Sequence, residues 1–192
     1  MIDYIIGRPV ELSPTTAVIE NHGIGYEVNI TLMDYSKIEG KEEVKLYIFE
    51  SIREDAHLFY GFMDKRSREL FILLTSVSGV GPNTARLIMS SMTTQQLEQA
   101  IASGQDSILK SVKGIGGKTA QRIIVDLKDK IKTSEEALII STPAGESYED
   151  SVSALVMLGF TRQQSQKVLQ KIFKATPSLT TEQAIKQALT ML

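Results

Sequence analysis

The sequence contains no cysteine and no tryptophan, and it has only two histidines. Without cysteine the chain can form neither a disulfide framework nor a thiolate metal site, and such a composition is typical of intracellular proteins. His22 falls in a predicted turn and His57 in a predicted strand, and neither has metal-ligand spacing around it. We therefore expect no metal site and no histidine-based catalysis.

Long apolar runs and a secretion signal are missing as well. No stretch approaches the roughly 20 apolar residues of a membrane-spanning helix, and the N-terminus lacks a charged region followed by an apolar one. The sequence also lacks a nucleophile elbow and a carboxylate group suited to two-metal catalysis. We expect a cytoplasmic protein with no membrane contact, no cofactor and no active site of its own.

The most informative feature that is present is a nine-residue motif that occurs in two similar copies. It reads VSGVGPNTA at 77–85 and VKGIGGKTA at 112–120. Each copy follows an apolar segment and begins a second apolar segment, which has helical periodicity. The pattern predicts two successive units of helix, glycine hairpin and helix.

Such a hairpin is suited to binding phosphate. Glycine allows positive φ and removes the Cβ that would keep a ligand away from the main chain. The amides that open the next helix then face outward at the positive end of its dipole. Binding of this kind follows the nucleic-acid backbone and is indifferent to base sequence. The predicted DNA-contact residues are Gly79, Val80, Gly81, Asn83, Thr84, Lys113, Gly114, Ile115, Gly116, Lys118, Thr119 and Arg122.

The glycines have two other interpretations. The segment 117–119, Gly-Lys-Thr, resembles the end of a P-loop, but Val112 stands where that motif needs glycine, and a helix is predicted where it needs a strand. A glycine hairpin can also cap a helix with no ligand bound. The duplication and the nearby basic residues favour DNA binding, and Arg86 is expected to add charge beside the first hairpin.

Charge is distributed unevenly along the chain. Residues 63–133 carry 11 Lys and Arg against 6 Asp and Glu, whereas residues 1–62 carry 5 against 11. The net charge of −2 therefore hides a basic middle segment. This asymmetry favours a polyanionic partner for the middle of the chain.

The order of patterns predicts an α+β protein of several domains. Residues 1–62 alternate polar and apolar residues as short strands do, and they predict a small closed β-barrel of the OB type. The helical hairpin domain covers 63–133, and residues 134–147 lose periodicity, which predicts a flexible linker. The predicted strands are Tyr4–Ile6, Ala17–Ile19, Tyr26–Leu32, Val44–Phe49 and Leu58–Phe62, with a hairpin turn at 21–23.

A UBA-like module of three helices is predicted for 148–192, with helix starts marked by capping-box sequences at Thr161 and Thr180. So small a module can leave apolar surface exposed for a partner. Phe160 has an alternative role in the core of the module. The predicted partner-docking residues are Leu158, Gly159, Phe160 and Ile172.

Glu54 and Asp55 form an acidic pair at the polar tip between the last two predicted strands. Carboxylates beside bound DNA repel its phosphates, and this repulsion is one way to select DNA shape. Most carboxylates in loops only solvate the surface, and that interpretation stays open.

The order of these features resembles the RuvA family of Holliday-junction-binding proteins over essentially the whole chain. The residues that carry the resemblance are REDA at 53–56, YGF at 60–62, the two hairpins, the linker and the C-terminal module. In that family the hairpins hold a four-way junction within a homotetramer, or an octamer on DNA. The resemblance implies that Glu54 and Asp55 form an acidic pin at the junction centre.

The resemblance also implies partners. The hexameric ATPase RuvB would dock on the C-terminal module and use the ATP, and the resolvase RuvC would share the junction, in recombination, DNA repair and the SOS response. Asn83 stands where a lysine is common in the family, which implies a weaker phosphate contact in the first hairpin.

Two alternatives come from other classes of protein. A general helix-hairpin-helix scaffold would bind linear duplex as well as junctions. A subunit of an excision nuclease would need the catalytic carboxylate cluster that this sequence lacks.

Overall fold

A computed structural model describes residues 1–131, 143–176 and 179–192, without the side chains of 143–146 and 149. The chain divides into two compact units, Met1–Ile131 and Lys132–Leu192, and each is described by itself. Most of the predicted linker, residues 134–142, lies outside the described residues.

Five strands close into a barrel at the start of the first unit, as predicted. They pair in the order β1, β2, β3, β5, β4, and all pairs are antiparallel except β3 with β5. His22 and Gly23 have φ values of 50° and 82°, as the turn of a two-residue hairpin requires. The strands are β1 (Tyr4–Leu12), β2 (Thr16–Asn21), β3 (Ile24–Ile30), β4 (Val44–Ile52) and β5 (His57–Phe62).

A short helix, α1 (Leu32–Ile38), lies between β3 and β4 and was not predicted. The Thr31 hydroxyl caps it by accepting from the amide of Asp34 at 3.1 Å. Asp34 in turn accepts from the Thr31 hydroxyl at 2.6 Å and from the Met63 amide at 3.2 Å. This buried carboxylate therefore joins α1 to the segment that leaves the barrel.

The barrel has an apolar core of its own, and a second apolar cluster joins β5 to the helices of the first unit. The rings of Tyr60 and Phe62 in β5 lie 5.2 Å and 4.9 Å, centroid to centroid, from the ring of Phe71 in the first of these helices. The same cluster continues to Ile123 and Leu127. The helices are α2 (Lys65–Thr75), α3 (Pro82–Ser91), α4 (Thr94–Ala102), α5 (Asp106–Lys110) and α6 (Gly117–Leu127), so α6 ends before the predicted Lys132.

The described part of the second unit forms the predicted three-helix module: α7 (Pro143–Met157), α8 (Arg162–Ala175) and α9 (Thr181–Leu189). The first of these helices begins five residues before the predicted start at Tyr148, within the segment assigned to the linker. Thr161 and Thr180 form the predicted capping boxes. Within the described ranges, no helix combines the length and apolarity needed to cross a membrane.

Candidate nucleic-acid interface

The two glycine hairpins have the same backbone geometry. Gly79 and Gly114 have φ values of 91° and 90°, in the left-handed region that glycine adopts without strain. Gly81 and Gly116 are the N-caps of α3 and α6, with φ and ψ of −85° and 172° in one case and −79° and 164° in the other. The two copies of the sequence motif therefore have the same hairpin conformation.

An apolar residue anchors each hairpin to the core. Val80 and Ile115 are 3% and 6% exposed, and their amides donate to the carbonyls of Val77 and Val112, both at 3.0 Å. Val80 and Ile115 were predicted to be DNA-contact residues. The structure instead buries their side chains and uses their amides inside the turn, so these two residues hold the hairpin in shape.

The first turns of α3 and α6 offer backbone donors to a ligand. Amides in the first turn of a helix have no acceptor within the helix, and neither of these glycine-capped helices has a side-chain cap. In contrast, Asp64 and Thr93 cap α2 and α4 of the same unit with side-chain oxygens. The ends of α3 and α6 are therefore suited to an anion, which their helix dipoles also attract.

Nothing inside the fold requires glycine at positions 81 and 116. Both residues have backbone angles that any amino acid adopts. A Cβ built on either one would meet no atom within 4 Å. The missing side chain therefore leaves open space beside the exposed helix start, which is what the close approach of a phosphate needs.

Cationic side chains gather at the second hairpin. Lys113, Lys118 and Arg122 are all exposed. The Arg122 Nη1 donates to the carbonyl of Ser78 in the first hairpin at 3.2 Å. This contact places the two hairpins side by side, so the structure brings both predicted halves of the interface to one surface.

Two polar residues of the first hairpin also bind the barrel. The Arg86 Nη1 donates to the Thr15 carbonyl at 3.0 Å and to the Asn29 Oδ1 at 2.9 Å, both in the barrel. Both acceptors are neutral, so Arg86 keeps its positive charge near the start of α3 while its guanidinium ties that helix to the barrel. Asn83 likewise accepts from the Tyr60 hydroxyl at 3.2 Å.

Glu54 and Asp55 lie at the tip of the β4–β5 hairpin. The Arg53 amide donates to the Ala56 carbonyl at 2.8 Å and closes a tight turn with both carboxylates exposed at its centre. We call residues 53–56 the acidic turn. Its geometry projects two negative charges away from the barrel wall.

The base of that hairpin is fixed by contacts of its own. The Glu50 carboxylate accepts from the Ile2 amide, and it lies 3.4 Å from the His57 Nε2. The Ile2 amide is the main reason that the pKa of Glu50 is lowered, and the positive N-terminus and His57 add to the effect. The His57 ring also packs 4.8 Å from the ring of Phe59. The acidic turn therefore rises from a well-anchored base.

The predicted docking residues of the second unit fall into two groups. Leu158 is 60% exposed, and Gly159 ends α7 with φ 102°. Phe160 is partly buried and packs against the core of the module, while Ile172 is 5% exposed within that core. The buried side chain of Ile172 cannot serve as a docking contact, so that prediction is corrected.

Two exposed apolar neighbours of Leu158 were not among the predicted docking residues. Val156 and Met157 are 41% and 89% exposed and directly precede Leu158. We call residues 156–158 the apolar end of α7. The run of four apolar residues that begins at Leu155 was a usable signal, because one face of a helix cannot bury four consecutive side chains.

The part of the chain that the structure describes contains no group of three or more histidine, aspartate and glutamate side chains arranged to hold a metal ion.

Comparisons with known proteins match the chain along most of its length. A family model described as the RuvA N terminal domain matches residues 1–61, a SAM-like helix-hairpin-helix tandem matches 71–129, and the RuvA C-terminal domain matches 146–192. A relative from Parabacteroides distasonis is 54% identical over the whole of both chains. Relatives from Bacteroides fragilis and Bacteroides thetaiotaomicron are 52% and 50% identical over 98% of each chain. All three are named Holliday junction branch migration complex subunit RuvA.

Proposed function

The chain belongs to the RuvA family, and we propose that it is the Holliday-junction-binding subunit of a branch migration complex. In this role it binds four-way DNA through phosphates, without reading base sequence, and holds the junction open for a RuvB motor during recombination and repair. It is a non-catalytic subunit, because the ATP-dependent step belongs to the motor.

The observation that carries this proposal is the pair of equivalent hairpins on one surface. Each opens a helix with glycine in place of a side-chain cap, and the Arg122 contact to Ser78 holds the two together. Two such sites side by side can engage two phosphates of one DNA arm. Recognition through amides and cations follows DNA shape, because phosphates carry no sequence information.

The two hairpins contribute in different ways. The first offers amides and the partly exposed hydroxyl of Thr84, whereas the second adds the ammonium groups of Lys113 and Lys118 and the guanidinium of Arg122. Counterion release depends on phosphates neutralised by cations. We therefore expect the salt dependence of binding to come mainly from the second hairpin.

The acidic turn supplies the preference for junctions. Glu54 and Asp55 repel a duplex that runs continuously past them, but the centre of an open four-way junction leaves room for these carboxylates. Selectivity of this kind comes from a repulsive element that penalises the wrong ligand. In the assembled complex the same charges guide strands apart.

The remaining partners follow from the family assignment. The apolar end of α7 is the proposed docking surface for the RuvB hexamer, because three consecutive exposed apolar residues suit a partner helix or groove. Further parts of the proposal are a homotetramer or junction-bound octamer, a junction shared with RuvC, a cytoplasmic location and a role in the SOS response.

A competition gel-shift experiment tests the central proposal. A labelled four-way junction is bound by the protein and challenged with unlabelled junction or with linear duplex of equal length. The proposal predicts that the junction competes far better than the duplex. Equal competition would instead identify a general helix-hairpin-helix scaffold, and native mass measurements with and without junction would establish the oligomeric state.

A further inference from the structure

Lys110 lies beside the second hairpin, although no repeated motif includes it. It is the last residue of α5, and its Cε stands 3.5 Å from the point where a Cβ of Gly117 would be. Gly117 is the first residue of α6. Because Nζ is one bond beyond Cε, the ammonium lies within about 5 Å of that point.

The ammonium of Lys110 forms a weak ion pair, which would compete with a DNA phosphate. Asp106, one helical turn earlier on α5, approaches it at 2.5 Å, and both side chains are partly exposed. Exposed ion pairs of this kind contribute little stability, typically about 0.2 to 1 kcal/mol. A phosphate at the start of α6 would be a second anion within reach of the same ammonium.

The first hairpin has no equivalent of Lys110. Thr75 occupies the corresponding place before the first hairpin, and its hydroxyl donates to the Ile72 carbonyl at 2.9 Å. The lysine is thus an addition to the second hairpin alone, where Lys113, Lys118 and Arg122 are already exposed.

We propose that Lys110 is a further phosphate contact of the second hairpin and that Asp106 competes with DNA for its ammonium. This inference rests on the proposed function, because it assumes that the start of α6 receives a DNA phosphate. Asp106 then lowers DNA affinity in two ways. It occupies Lys110 in the free protein, and it adds a negative charge beside the bound backbone.

Two substitutions with opposite expected effects test this inference in the full-length protein. Lys110→Met keeps an unbranched stem beside Gly117 and removes the charge, so junction affinity should fall several-fold at low salt. In a plot of the logarithm of the association constant for the junction against the logarithm of the salt concentration, the slope should become shallower by about 0.9 for each subunit that contacts the junction. Asp106→Asn should raise junction affinity, because Lys110 is released and a repulsive charge is lost.

The second unit provides a matched control. Lys186 and Glu182 form the same i, i+4 pair at 2.6 Å on α9, so Lys186→Met should change neither the affinity nor the slope. Lys110→Arg should restore the binding that Lys110→Met loses.

Three results would overturn the inference. The first is an unchanged salt dependence of junction binding in Lys110→Met together with weaker binding in Lys118→Met. That result would leave the proposed function intact. The second is equal loss of affinity and thermal stability in Lys110→Met and Asp106→Asn, which would mean that the pair is purely structural. The third is the absence of any junction preference in the wild-type protein, which would remove the proposed function together with the inference.

Discussion

At the scale of single residues, Gly116 determines whether the amides that open α6 are capped by a side chain or stay available to an anion. Its backbone is unstrained and the space around its missing Cβ is empty. Serine fits this position and is a preferred N-cap. Glycine therefore leaves the first-turn amides available, whereas serine would satisfy one of them from within the protein.

Gly116→Ser should separate stability from function. We expect the free energy of unfolding to be unchanged or raised by a few tenths of a kcal/mol, because serine caps slightly better than glycine. Junction affinity should fall several-fold, because the hydroxyl takes an amide and the Cβ fills the approach. Urea denaturation and gel shift measure the two quantities. A variant that binds junctions as the wild type does would show that DNA does not approach α6 at this point.

Asp34 predicts a pH dependence of stability. Burial raises the pKa of this carboxyl, although hydrogen bonds from Thr31 and Met63 and the charge of Lys37 oppose the shift. The folded protein therefore holds the proton more tightly than the unfolded chain does. The stabilising contribution of Asp34 is fully present below its unfolded pKa of about 3.9 and is lost as pH rises through the folded pKa.

The Asp34→Asn variant lacks this titrating group. Comparing its stability with that of the wild type at each pH should therefore isolate the contribution of Asp34. The free energy of unfolding of the wild type minus that of the variant should decrease as pH rises from about 3.9 through the folded pKa. Urea midpoints collected across that range measure it, and the other carboxylates cancel in the subtraction. A difference that stays constant with pH would contradict the raised pKa.

At the scale of secondary-structure elements, local signals in the sequence were sufficient for most of the fold. The barrel strands followed from the alternation of polar and apolar residues, and the hairpins followed from glycines that adopt positive φ at equivalent places. The α1 helix was missed because the alternating pattern of β3 continues to Leu32, the first residue of α1, and because its anchor at Met63 is distant in sequence. Local pattern carries no information about such a partner.

The interface was predicted less completely than the fold for the same reason. Arg86 was expected only to add charge beside the first hairpin, and its bonds to the barrel are a second role that depends on residues distant in sequence. Ile172 belongs to an amphipathic helix whose pattern does not distinguish a core face from a docking face. Lys110 was overlooked because its position beside Gly117 depends on how α5 packs against α6.

The acidic turn is an element whose charge can be tested separately from its shape. Replacing Glu54 and Asp55 with Gln and Asn should raise the affinity for linear duplex and lower the preference for junctions, because the repulsion of phosphate is lost. Gel-shift competition across a range of salt concentrations measures the ratio of junction affinity to duplex affinity. The exposed pair Glu42 and Glu43, before β4, is the matched control, and its conversion to glutamine should leave the ratio unchanged. The same ratio in both double variants would assign Glu54 and Asp55 to ordinary solvated surface.

At the scale of the whole molecule, the division into two units predicts that holding a junction and recruiting a motor are separable. The hairpins and the acidic turn all lie within Met1–Ile131, which has its own apolar core. A chain truncated after Lys132 should therefore bind four-way junctions with near-normal affinity and fail to support motor-driven branch migration. Gel shift and an ATP-dependent branch migration assay measure the two activities.

A full-length variant controls for nonspecific effects of the truncation. Met157→Ser combined with Leu158→Ser changes only exposed side chains, so it should fold and bind junctions normally while losing migration. Undiminished migration by the truncated protein would place the motor contact in the first unit.

The apolar cluster that joins β5 to the helices also has a consequence for biosynthesis. Tyr60 and Phe62 pack in the same cluster as Ile123, Leu127 and Ile131, so a nascent chain that has only the barrel strands cannot yet cover those two rings. Completion of the first unit must wait until residue 131 has left the ribosome. At about 5 to 20 residues per second, synthesis of residues 132–192 takes roughly 3 to 12 seconds, and residue 131 leaves the ribosome during that interval. The DNA-holding unit thus leaves the ribosome, and can begin to fold, before the surface proposed to recruit the motor has emerged.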